Sequence, residues 1–270
     1  MSEILFTASR PPGQSGQGSR RRHARRPNRG LRALSGLLIL VGVLALLDAG
    51  ITLVWQEPIS ALYARLQQNR LDGALQRVDR AQPTATELQR LAVMPHPHAR
   101  VAFLAHELER HSSDGSAVGR IRIPSIGASF VVVKGTATSD LQKGPGIYSD
   151  TSFPGVPGTT AIAGHRTTYL APFRHIDALR NGNRIVLEMP YAHFIYTVIG
   201  QRVVQPTDVA AAVDRVGYSR LVLSACTPLY SAAQRILVYA RLTETIPTGV
   251  ASRVTSGARN PPAPARGHPA

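Results

Sequence analysis

From Ala33 to Trp55 the chain is apolar almost without interruption, ALSGLLILVGVLALLDAGITLVW, with Asp48 its one charged residue. At about 1.5 Å per residue such a run reaches roughly 34 Å as a helix, enough to cross a bilayer core of roughly 30 Å. Residues 33–55 are therefore expected to form a transmembrane signal-anchor helix. Asp48 lies towards the C-terminal end, where a protonated or interface-facing carboxyl costs less than at the centre. Trp55 suits the aromatic belt of a membrane interface. The alternative is a cleaved signal peptide ending near Leu47, but Leu47-Asp48-Ala49 is a poor cleavage site.

Beyond this run the apolar positions become periodic. Ile59, Leu62, Tyr63 and Leu66 fall at i, i+3, i+4 and i+7, and Leu71, Leu75 and Val78 continue the spacing. That pattern predicts an amphipathic helix opening at Pro58, either solvated or packed on the domain that follows. Met94-Pro95-His96-Pro97-His98 interrupts it. No further ligands cluster near its two histidines, so it reads as linker rather than metal site. A last helical piece is expected at Arg100–Arg110, and 56–118 as a whole is a helical stalk and linker.

From Gly119 the period falls to two. Strands are expected at Ile121–Ser125, Ser129–Val133, Thr159–Ala163, Arg184–Glu188, His193–Ile199, Arg220–Cys226 and Gln234–Leu242. Lys143-Gly144-Pro145-Gly146 and Pro154-Gly155-Val156-Pro157-Gly158 supply turn chemistry between them, and Pro172–Leu179 allows one or two helical turns. Many short strands, no repeated helices and no internal repeat indicate an all-β barrel or sandwich over 119–245.

The net charge of +15 would suggest nucleic-acid binding if it were spread over this domain. It is not. Residues 1–32 hold eight arginines against Glu3, the tail 246–270 holds three arginines and no acid, and the long middle keeps only +5. Both ends are poor in large apolar residues and are expected to be disordered. The N-terminal arginines directly precede the apolar run, which predicts a cytoplasmic N-terminus and an extracellular remainder.

There is one cysteine, Cys226, so no intramolecular disulfide can form. It ends the strand Leu221-Val222-Leu223-Ser224-Ala225 and precedes Thr227-Pro228, a dipeptide that turns away from helix. A cysteine at a barrel rim can be rigidly held yet open to a cleft. With an ordinary thiol pKa near 8.5 it needs an imidazole or guanidinium beside it to react well at neutral pH. Arg235, nine positions on and on the next strand, can return beside it. Spacing does not choose among the nine histidines, His165, His175 and His193 being equal on that ground.

Two runs carry a resemblance that does choose. Ala161-Ile162-Ala163-Gly164-His165-Arg166-Thr167-Thr168-Tyr169, with Ala171-Pro172-Phe173, resembles the histidine motif of sortases. Leu223-Ser224-Ala225-Cys226-Thr227-Pro228 through Arg235 resembles their cysteine-to-arginine segment. Gly119–Ile126 is similar to the first barrel strand, and Leu141-Gln142-Lys143-Gly144-Pro145-Gly146-Ile147-Tyr148 to the segment that usually reads L-x-K-G-x-G-H-Y. The four motifs stand in the family's order across Gly119–Thr245 and look most like actinobacterial class E sortases.

The resemblance implies a closed eight-stranded β-barrel and a membrane-anchored cysteine transpeptidase. Cys226 would attack the Thr–Gly carbonyl of a Leu-Ala-x-Thr-Gly or Leu-Pro-x-Thr-Gly sorting signal on an exported protein. His165 would act as general acid and then general base, and Arg235 would hold the oxyanion or the substrate carbonyl. Ala225, Thr227 and Tyr169 would line the substrate. The product thioester would pass to an amine on a peptidoglycan precursor, with no cofactor and no metal. The chain departs from the pattern at Ala225, where the family has threonine, and at Ile147, where it has histidine. No Asp-Pro-aromatic lid motif precedes Gly119. Two other readings compete: an inactive sortase-like envelope scaffold, and an L,D-transpeptidase-like acyltransferase. The second is disfavoured because Ser224-Ala225-Cys226-Thr227-Pro228 lacks that family's glycine and nearby arginine.

Overall fold

The computed structural model describes residues 29–54, 58–208, 214 and 216–253. Trp55 and residues 1–28 of the expected disordered segment 1–32 lie outside them, while its last four residues, 29–32, are already helical. Helix α1 (Arg29–Val54) is apolar around its circumference, and its Arg32–Gly50 portion is long and apolar enough to cross a membrane. None of that portion is buried by protein.

The second compact unit begins at Ala49, within α1, and holds every later element. Helices α2 (Pro58–Arg80), α3 (Ala85–Ala92) and α4 (Pro97–His111) precede strands β1 (Ala117–Ile123) and β2 (Ala128–Lys134). The four-residue helix α5 (Thr138–Leu141) follows. Next come β3 (Gly146–Ile147), β4 (Thr159–Ala163), β5 (Arg184–Met189), β6 (Ala192–Val204), β7 (Arg220–Thr227) and β8 (Gln234–Pro247), and α6 (Gly249–Arg253) ends the described chain. The strands close into a barrel in the order β1-β2-β3-β4-β7-β8-β6-β5. Closure is what removes the unpaired edges that so many short strands would otherwise expose.

Alternation along the strands decides what fills the barrel. Ile121, Ile162, Leu187, Leu223 and Val238 are all fully buried in one interior cluster. The alternate positions of β4, β7 and β8 form a separate outer cluster, Ala161, Val222 and Leu237, joined by Val204. The long β6–β8 pairing slips register between Ile195 and Tyr196 and again between Val198 and Gly200, bulges that let a long ribbon coil around the barrel.

The expected strands are all present, several of them longer. The eighth, β3, lies where the sequence reads as a turn. It is only two residues long, too short for any periodic signal, and it exists because Gly146 and Ile147 bridge β2 to β4. Gly146 is required there, since a Cβ would lie 2.0 Å from the Gly135 carbonyl oxygen.

One further segment boundary moves. The expected disordered tail begins at 246, yet β8 continues to Pro247 and α6 seats Ala251, fully buried, against the core. The buried Arg100 guanidinium donates to the Ala251 carbonyl (3.1 Å), tying this end to α4. The stalk is likewise no free spacer. Leu71 and Leu75 of α2 pack on Ala117, Val131 and Val133, and α4 contributes Val101 and Ala105 to the barrel core. Gln68 acts as a surrogate strand: its amide donates to the Val131 and Lys143 carbonyls and accepts from the Val131 N–H. It thereby pairs backbone groups that the short β3 leaves unmatched.

Candidate active site

Strands β4 and β7 run parallel, with Ala163 opposite Ser224 and the Gly164 N–H donating to the Ser224 carbonyl (3.0 Å). His165 and Cys226 each follow two residues later, so both leave the same end of the barrel. Strand β8 returns antiparallel to β7 and places Arg235 directly opposite Cys226. Directly paired residues have neighbouring side chains on one face. The face is the outer one: Ala225 and Ile236, the next pair along, belong to the interior cluster. Cys226 is a free thiol, half-buried.

The histidine loop is fixed by packing. The Phe173 N–H donates to the His165 carbonyl (3.0 Å), and the Phe173 ring, fully buried, lies beneath Gly164. Between them Tyr169, Leu170 and Ala171 take left-handed backbone angles, φ 50°, 64° and 42°. Three successive non-glycine residues in that region are costly and persist only where their surroundings hold them. The turn brings the Tyr169 ring to 5.2 Å from the His165 imidazole. Tyr63 of α2 meets Tyr169 edge-on at 6.3 Å.

Burial pushes the His165 pKa below the usual histidine value, because a partly desolvated imidazolium loses hydration without gaining a counter-charge. Its Nε2 is buried without a hydrogen-bond partner among the described residues. A buried polar atom left unpaired is expensive unless something else uses it, and this one lies on the loop that leaves the cysteine end of the barrel. The carboxylate on the same loop, Asp177, is engaged elsewhere, with Arg166 at 2.7 Å.

Arg235 folds back on its own loop, Nη1 donating to the carbonyls of Ala232 (3.0 Å) and Gln234 (3.1 Å). Guanidinium has five N–H donors, and both of these bonds use one nitrogen. The Thr227 hydroxyl accepts from Arg166 Nη1 at 3.2 Å. The Thr227–Pro228 peptide is cis.

The expected residues Cys226, His165 and Arg235 thus gather at one rim, with Tyr169 beside the histidine and Thr227 beside the cysteine. Ala225 does not join them. It is buried (3% exposed) in the barrel interior, because period-two alternation turns it away from the face that carries Cys226. Ile147, in place of the family's histidine, is likewise core. Sequence reading missed Arg166 and Tyr63. The first looks like any surface arginine, and the second fits the apolar stripe of α2. Among the described residues no three His, Cys, Asp or Glu side chains gather as a metal site.

Residues 121–243 match the sortase domain family. Sortase D of Bacillus subtilis is 31% identical over 130 residues, 47% of this chain and 64% of that protein. SrtE1 of Streptomyces coelicolor is 27% identical over 148 residues, 49% of this chain and 42% of that protein. The chain therefore spans less than two thirds of either relative. A sortase D5 transpeptidase from Clostridium perfringens shares the fold, with TM-score 0.53 at 20% identity, over 66% of this chain and 99% of its own.

Proposed function

The chain carries a sortase domain, and from that premise we propose that it is a membrane-anchored cysteine transpeptidase for exported proteins. One observation carries the reading: Cys226 is paired with Arg235 across β7–β8, while the neighbouring parallel strand delivers His165 with an unpartnered Nε2.

Burial disfavours the imidazolium form of His165, and in this reading His165 enters the reaction as a neutral imidazole. It takes the Cys226 proton as the sulfur attacks the threonine carbonyl of a Thr–Gly bond. The imidazolium so formed gives that proton to the departing glycine amine as the tetrahedral intermediate collapses to a thioester. His165, neutral again, then deprotonates the incoming amine. Arg235, freed from the Ala232 and Gln234 carbonyls, donates to the oxyanion. Thr227 and Tyr169 border the bound peptide. The acceptor is an amine of a peptidoglycan precursor and the sorting signal is of the Leu-Ala-x-Thr-Gly or Leu-Pro-x-Thr-Gly type. Helix α1 spans the bilayer with its arginine-rich flank in the cytoplasm, leaving the barrel outside.

Mass spectrometry of the exported part with both peptides, with and without an amine acceptor, tests this beside Cys226→Ala. A thioester on Cys226, cut between Thr and Gly and passed to the amine, supports the reading and selects the signal. A folded protein with a free thiol and no adduct favours an inactive scaffold.

A further inference from the structure

Arg166 follows the histidine directly, is 3% exposed, and has no part in the chemistry above. Its guanidinium reaches in two directions. Towards the histidine loop, Nε and Nη2 donate to the Arg174 carbonyl (3.2 and 3.0 Å), and Nη2 meets Asp177 Oδ2 at 2.7 Å. Towards the cysteine strand, Nη1 donates to the Thr227 hydroxyl (3.2 Å) and, at 3.5 Å, to the Cys226 carbonyl.

We propose that Arg166 is the positioning residue that sets the separation of His165 and Cys226, one planar group pinning the histidine loop to the end of the cysteine strand. The inference rests on the transpeptidase reading. Burying a guanidinium is costly, and an apolar side chain of similar volume would usually stabilise a core as well or better. Its one carboxylate partner among the described residues is itself 53% exposed, which makes the ion pair a weak reason to bury a charge. What the charge uniquely supplies is five donors in a rigid plane, carried by the residue next to His165 and aimed both at its own loop, at Arg174, and at Cys226 and Thr227 on the cysteine strand. The left-handed run Tyr169–Ala171 lies inside the loop that Arg166 closes, so the clamp also holds a strained turn in place.

The test compares Arg166→Met, Arg166→Lys and Asp177→Asn with wild type in single-turnover acylation of Cys226 and in thermal melting. A displacement of about 1 Å at a reacting pair costs on the order of 100-fold. Arg166→Met is therefore expected to slow acylation about 10- to 100-fold, with peptide KM changing far less. Arg166→Lys keeps the charge and one donor and is expected to recover part of the rate. Asp177→Asn removes the exposed carboxylate but keeps the Arg174, Thr227 and Cys226 contacts, and is expected to lower the melting temperature with little loss of rate. Wild-type acylation by Arg166→Met, or rate losses that track melting temperature across all three variants, overturns the proposal. Should Arg166→Met fail to fold, Thr227→Val cuts the same link from the cysteine side, and an unchanged acylation rate there overturns it equally. Alkylation of Cys226 by iodoacetamide across pH needs no peptide. If wild type forms no thioester, the transpeptidase reading has failed; an alkylation profile identical in Arg166→Met and wild type still sinks the clamp separately.

Discussion

Gly164→Ala is the most informative single substitution outside the reacting groups. A Cβ built on Gly164 lies 2.6, 2.9 and 3.0 Å from three carbons of the Phe173 ring. Ordinary carbon–carbon contact is about 3.5–4.0 Å, so the methyl overlaps the ring by about 1 Å. The backbone of Gly164 is not in the left-handed region, so the conflict is steric alone. Phe173 is fully buried and its N–H holds the His165 carbonyl. Either the ring moves into a packed core, or Gly164 moves and carries His165 with it. Overpacking of this kind costs about 1–3 kcal/mol, which for a unit of this size lowers the melting temperature by roughly 2–12 °C. A 1 Å shift of the imidazole slows acylation on the order of 100-fold. The assay is a melting curve beside single-turnover thioester formation, run on Gly164→Ala, Phe173→Leu and the double variant. The double variant should be less impaired than the two singles together, because leucine vacates part of the ring's space. Gly164→Ala with wild-type rate and melting temperature, or strict additivity in the double variant, would refute the reasoning.

Other outcomes follow from the same geometry. Arg235→Gln should slow acylation by about 100- to 1,000-fold, the cost of one oxyanion donor, and a loss under tenfold would deny Arg235 that role. Because burial holds His165 below its usual pKa, the acid limb of acylation should be centred below about pH 6.5; a limb above that value contradicts a neutral His165 base. The same shift bears on stability. The unfolded chain takes up this proton at a higher pH than the folded one, so stability falls as pH drops from about 6.5 towards the lowered folded value, and His165→Gln should flatten that slope in pH-dependent denaturation. Gln68→Ala strands the Val131 N–H and carbonyl, a loss of about 1–3 kcal/mol. It should appear as faster hydrogen exchange at the Val131 amide while the β7–β8 amides stay protected, and uniform acceleration would count against a local latch.

Legibility in the sequence followed the range of the interactions. Strand β4 was read to the residue, Thr159–Ala163, because a short apolar run bounded by Gly-rich turns is a local signal. Cys226 and Arg235 were read as neighbours because a hairpin return is also local. Ala225 was misplaced at the substrate because a motif comparison aligns residues without saying which face each occupies. The stalk helix is periodic enough to find, but periodicity could not show that Leu71 and Leu75 of its stripe pack on the barrel while Leu62 and Leu66 stay exposed and Tyr63 meets the Tyr169 ring.

The sequence by itself determined the apolar span of α1, the period-two segments that become the barrel, and the single thiol at the end of one of them. These depend on composition and spacing within a window of a few residues. Only the tertiary structure decided which histidine the residues themselves select. His193 sits at the opposite end of β6, paired with Ile246, and His175 is exposed. His165 is brought to the same end of the barrel as Cys226 by the parallel pairing of strands about 60 residues apart. Such pairing depends on closing a long loop and burying both strands together, and so on no local pattern in either. The same holds for Arg166, an unremarkable letter until the fold buries its guanidinium between the two halves of the site.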